Sequence, residues 1–247
     1  MRGVRHMIDR CDAFRSLDAI CEPDVRSGMF NVMTPEGWRP ISLEDHHEVI
    51  VSIALHEEVP EKIATQFETA RNVFLCSWFV YRFGPVAQSQ ALSALELALR
   101  TRLAEIPRKP AQWTPPLSQL LDMAISRGIV CAEGMSHARY QAETRARRRH
   151  LSESVGRGDS GADAVDLDDE EIQVQPHDFD PEFFARMKSA LRFSRNDKAH
   201  GSTNLDMEAA GVLRAVADIV NQLYSQRELE GGTAMPGENE EDGDDNQ

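Results

Sequence analysis

No apolar run among the 247 residues reaches the ~18 that a membrane-crossing helix needs. The longest candidate, VFLCSWFVYRFG at 73–84, is shorter and carries Arg82. The opening stretch, MRGVRHMIDRCDAF, lacks the apolar segment of a secretory signal. Cysteine is scarce, with four at 11, 21, 76 and 131 and no CxxC pair. Reduced thiols in a cytoplasm are therefore expected, and a zinc site is not. His46 and His47 are neighbours in an expected helix, so their rings diverge by about 100° and chelate poorly. Neither a metal nor a cofactor is expected. No strand pattern and no internal repeat is visible. No basic recognition helix follows a short turn, which sets aside sequence-specific DNA binding.

The net charge of −14 argues at first against a nucleic-acid partner, but it is concentrated in two places. Residues 152–180 hold ten acids and one arginine, and residues 228–247 hold eight acids and no base. The remainder carries 23 acids against 26 bases, close to neutral and slightly basic. Two acid-rich, weakly hydrophobic segments of this kind are expected to be disordered, and RNA stays open as a partner for the rest.

The pattern between them is helical. Ser42-Leu-Glu-Asp45 reads as a capping box opening a helix to about Leu55. A second helix is expected from about Pro60 to Phe83, apolar nearly all round in its last part and so in need of cover from its own bundle or a second subunit. Gly84-Pro85 ends it and starts a third, PVAQSQALSALELALRTRLAE, with leucine and alanine on one stripe. After a proline-rich connector comes a short helix from Leu117 to Arg127, closed by Gly128, then a polar arginine-rich stretch, 136–150. Asp180-Pro181 opens a helix that runs to His200, and a last one from about Thr203-Asn204 carries Leu205, Ala209, Val212, Val216, Ile219 and Leu223 at core spacing. The expected architecture is all-α: an up-down bundle of five to six helices. Its parts are a weakly structured arm (1–40), a first bundle portion (41–150), an acidic flexible insertion (151–179), the last two helices (180–228) and a disordered acidic tail (229–247).

The candidate site lies in SRNDKAHGS, residues 194–202. An Arg-x4-His pair alone says little, because 23 arginines and 8 histidines make roughly 0.7 such pairs expected by chance. The chain has two, and Arg145–His150 is taken as the accidental one. In the other, Asn196 and His200 are four apart on one helical face, so the amide is placed to orient the imidazole. Arg195 and His200 are five apart and would flank a groove. A cation, an orienting amide and a titratable ring suit RNA cleavage through the 2′-hydroxyl, which needs proton transfer and stabilisation of a charged phosphorane but no metal. The alternative is plain helix-end chemistry, since Arg, Lys, His, Asn and Gly all favour helix C-termini.

The run LRFSRNDKAHG, followed by a long amphipathic helix and preceded by one carrying ALELALR, resembles the HEPN superfamily of helical-bundle domains. The likeness covers roughly 60–128 and 180–226. It implies Arg195 as phosphate and transition-state binder, Asn196 as orienter and His200 as acid–base residue of a metal-independent endoribonuclease. It also implies a homodimer whose two motifs line one cleft, 2′,3′-cyclic phosphate products, and toxin–antitoxin or phage-defence settings with a neutralising protein partner. Asp197 and Lys198 depart from the more apolar pattern of many relatives, and some HEPN-like domains only bind or dimerise.

Glu96 and Arg100 read as an i,i+4 ion pair, or alternatively as a carboxylate placed to fix Arg195. Arg145, Arg147, Arg148 and Arg149, with Arg139 and Tyr140 near, form the one dense basic patch. It suits RNA phosphates, an internal contact with the adjacent acids, or a solvated helix end.

Overall fold

Leucine and alanine at every third or fourth position make the third helix of the chain its centre. The computed structural model describes residues 10–104, 115–156, 172–199 and 208–225, with the side chains of 154–156 and 192–199 outside that description. The described residues form seven α-helices: α1 Leu43–Val51, α2 Glu61–Cys76, α3 Phe83–Ala104, α4 Leu117–Ser126, α5 Ser136–Gly156, α6 Phe183–Ala199 and α7 Ala209–Tyr224. One hairpin, β1 Asn31–Thr34 and β2 Gly37–Pro40, precedes them. The all-α expectation holds.

On α3, Ala87, Ala91, Leu92, Ala94, Leu95, Ala98, Leu99 and Leu103 are all buried. It packs against α2, α4, α6 and α7. From α7, Val212, Leu213, Val216, Ile219, Val220 and Leu223 fill the facing side. Five of the six expected stripe positions are thus placed; Leu205 lies outside the described residues. α2 and α3 form an antiparallel pair, Gln90 Nε2 donating to the Gln66 carbonyl at 3.5 Å. α7 runs alongside α3 in the same direction. A methyl group on Gly84 would lie 3.7 Å from the Cβ of Ala209, and the Tyr224 hydroxyl donates to the Ala98 carbonyl at 3.2 Å.

The helix ends show which local signals won. At α1 the capping box forms, with Ser42 N–H donating to Asp45 Oδ2 at 2.7 Å and Asp45 N–H to Ser42 Oγ at 3.3 Å. α1 stops at Val51, short of Leu55, because Asn221 of α7 claims the next backbone groups. Its amide donates to the Ala54 carbonyl at 3.0 Å and its oxygen accepts from His56 N–H at 2.9 Å. α4 closes as expected on Gly128, whose φ of +68° is the left-handed conformation that glycine adopts without strain.

Three expectations need correction. The helix expected over 60–83 is two: α2 ends at Cys76, and residues 77–82 are a non-helical connection to α3. The break is imposed by the arm. Asp24 Oδ2 accepts from Tyr81 N–H at 3.1 Å, while the Trp78 carbonyl accepts from Asp24 N–H at 2.9 Å and from Ser27 Oγ at 3.0 Å. The arm itself is not featureless. Phe30 stacks on Tyr81 at 6.3 Å between ring centroids, and the β1–β2 ladder follows from there around the Pro35-Glu36 turn. Finally, the arginine-rich stretch is the helix α5, which continues to Gly156, six residues into the segment expected to be flexible. Among its described side chains the buried ones are Ala138, Ala142 and Ala146, and Ser136 at its start is bound through N–H and Oγ to Asp218 of α7, both at 2.8 Å.

Candidate functional site

The motif is carried by α6. Asp180 accepts from Glu182 N–H at 2.9 Å in the turn that leads into that helix, which begins at Phe183 and not at Pro181 as the Asp-Pro signal suggests. Phe183 and Leu191 are buried, Phe184 and Met187 are partly buried against the core, and Lys188 pairs with Asp122 of α4. The packed face therefore extends at helical spacing from Phe183 to Leu191. Arg195 lies four residues past Leu191, with Asn196 next to it, on the α6 backbone that runs to Ala199. The side chains of Arg195 and Asn196, and His200 altogether, lie outside the described residues.

Glu96 and Arg100 pair with each other on α3. Arg100 Nη2 donates to Glu96 Oε1 at 2.6 Å and to the Pro115 carbonyl at 3.3 Å, and Arg100 Nε donates to the same carboxylate at 3.2 Å. The ion-pair reading is the one described, with the added role of tying α3 to the start of α4. A pair this exposed contributes a few tenths of a kcal/mol. A contact between Glu96 and Arg195 would lie outside the described residues.

The basic patch divides in two. Arg145 Nη1 donates to the Asp178 carbonyl at 2.7 Å and its Nη2 lies 3.5 Å from Asp180 Oδ2. Arg149 pairs with the Asp178 carboxylate and donates to the Gln173 carbonyl at 3.1 Å. The arginine beside Asp178, together with the Gln175 N–H, holds that buried carboxyl below its usual range despite the opposing effect of burial. For Arg145 and Arg149, then, the contact with the neighbouring acids is the one described. Arg147, Arg148 and Tyr140 are exposed.

Sequence reasoning missed a cavity of about 220 Å3 at the end of the bundle where α7 begins. Phe30, Ile41, His46, Val49, Phe74, Trp78, Tyr81 and Ala209 line it, together with Ser27 and Ser77. Its polar groups are engaged within the chain: Ser27 Oγ donates to the Trp78 carbonyl, Ser77 Oγ to Phe74 at 2.6 Å, and His46 Nε2 to the same Phe74 carbonyl at 3.0 Å. Burial pushes the His46 imidazole below its ordinary value, the carbonyls of Phe74 and Leu75 opposing that in part, so the ring is neutral at pH 7. No spacing signal existed to find this cavity, because its lining comes from the arm, the hairpin's end and four helical elements.

Among the described residues no three His, Cys, Asp or Glu side chains are grouped to hold a metal ion, and no helix is long and apolar enough to cross a membrane. None of the four cysteines is in a disulfide. The class that these observations define is an α-helical bundle with a short hairpin arm. No family model, no curated protein and no solved structure matches the chain.

Proposed function

We propose that the chain is a HEPN-like, metal-independent endoribonuclease acting in the cytoplasm, with Arg195, Asn196 and His200 as its working residues. The supporting observation is the motif's position. It ends a helix whose preceding turns are packed on the central α3, and it precedes α7, a helix with a continuous buried stripe. In this reading the 2′-oxygen attacks the neighbouring phosphorus, the bond to the 5′-oxygen breaks, and a 2′,3′-cyclic phosphate and a 5′-hydroxyl result. An imidazole from His200 takes the 2′ proton, and the His200 of a second copy returns one to the leaving oxygen. Arg195 stabilises the charge on the phosphorane, and Asn196 orients the ring. The nearly neutral balance outside the two acidic segments permits an RNA partner. Purified protein incubated with structured RNA in EDTA tests this, beside His200→Ala and Arg195→Ala; losses of about 10²–10⁴-fold are expected for the histidine variant.

A second reading, a non-catalytic dimerisation or partner-binding module, is favoured by two facts. Arg145 and Arg149 are held by Asp178 and its neighbours, and the arm exposes large apolar side chains such as Phe14 and Trp38. Intact RNA with wild type and variants alike would select it.

A further inference from the structure

We propose that the free edge of β1 is the surface through which two copies of this chain join, strand to strand. The hairpin register pairs Val32 with Arg39 and Met33 with Trp38, and the Phe30 carbonyl accepts from Ile41 N–H at 3.0 Å. In an antiparallel ladder the bonded and non-bonded pairs alternate, so Val32 and Thr34 exchange hydrogen bonds with β2. The N–H and C=O of Asn31 and Met33 therefore point away from the hairpin, and among the described residues they meet no partner.

The two edges are not equivalent. β2 ends in Pro40, which has no N–H to give, and its Arg39 is held by Asp45 through two bonds of 2.6 and 2.7 Å. β1, with the sequence NVMT, carries no charge, no proline and no bulge, the devices by which sheet edges are kept single. A hairpin of two four-residue strands is also marginal without a further strand or a packed face.

The chemistry of the surroundings selects a second copy as the occupant. A two-fold axis at Val32 sets Asn31 of each chain against Met33 of the other, and both residues offer one donor and one acceptor outward. Residues 10–40 hold four arginines and five acids, so two such surfaces do not repel, and a strongly charged partner finds no counterpart. Phe14, Leu17, Val25, Met29, Met33 and Trp38 are each more than half exposed. Large apolar side chains left exposed on one arm are the kind of surface that a second chain covers. Met33 and Trp38 stand opposite each other on the exposed face of the hairpin, where the added strand extends the same surface.

The ribonuclease reading also calls for a second copy, so a monomeric wild type would count against its paired motifs too. The edge variants, which leave Arg195, Asn196 and His200 in place, test the strand contact alone, and RNA cleavage tests the chemistry. The full chain is measured by sedimentation equilibrium over a wide range of concentration, beside Met33→Pro, which deletes the outward N–H, and Met33→Lys, which puts a charge on the joined edge. The wild type is expected at twice the chain mass and both variants at the single mass, with helical circular dichroism unchanged. Should Met33→Pro lose its helical signal, Met33→Lys decides. A monomeric wild type overturns the proposal, and so does a dimer that the folded variants retain.

Discussion

Asp24 is the residue whose loss should be felt farthest from its own position. Its side chain is 1% exposed, and its carboxylate accepts from Arg26 N–H at 3.0 Å, Arg26 Nε at 2.8 Å, Arg26 Nη2 at 2.9 Å and Tyr81 N–H at 3.1 Å. Burial alone would raise its pKa; the bonds from Arg26 and Tyr81 outweigh that and bring it from 3.8 down to about 2. That difference corresponds to about 2 kcal/mol of stability at neutral pH. Asp24→Asn keeps the shape but removes the charge and turns an NH2 group toward donors, so a cost of about 2–3 kcal/mol is expected at pH 7. Because the folded pKa is depressed, this stabilisation is complete above the ordinary value near 3.8 and is lost as pH falls through about 2. Urea titrations of wild type and Asp24→Asn should therefore differ at pH 7 and converge on acidification below pH 3.8. Amide exchange should rise over residues 77–82, the segment held by the arm. Equal midpoints at pH 7, or a deficit that persists unchanged at pH 3, would refute this account of the helix break.

Two further outcomes follow from the helix ends and the arginine cluster. Gly128→Ala places a Cβ on a residue at φ +68°, in open space but in a strained backbone, and should cost about 1 kcal/mol in chemical denaturation. Asp178→Ala frees Arg149 from its carboxylate partner, while Arg145 keeps the backbone carbonyl of residue 178 and Asp180. Amide exchange over 172–180 should rise, and the salt dependence of RNA binding should steepen by up to about 1 in log–log slope; an unchanged slope would show that Arg149 does not face RNA.

The parts of the fold that were legible in the sequence were those decided locally. Ser42 and Asp45, Asp180 and Gly128 act within a few residues of themselves, and the α7 stripe is strongly apolar. The features that were missed depend on distant residues. Nothing near Cys76 announces that Asp24, fifty-odd residues earlier, will bind the backbone of Trp78 and Tyr81 and stop α2. Helix α5 hid because alanines are the buried residues among its described side chains, and alanine gives little contrast against a polar helix. The hairpin hid because strands of four residues carry too little alternation to read. Of the candidate site, the sequence placed Arg195 and Asn196 on the helix that carries them and paired Glu96 with Arg100. It left open which partner the arginines of α5 would take, and the acids at 178 and 180 took two of them.

The most direct test of the proposed function is the chemistry of the RNA ends left after incubation in EDTA with the wild type and with His200→Ala. The ribonuclease reading predicts 2′,3′-cyclic phosphate and 5′-hydroxyl ends with the wild type and intact RNA with the variant. Intact RNA with both proteins, or the same fragments from both, would contradict it.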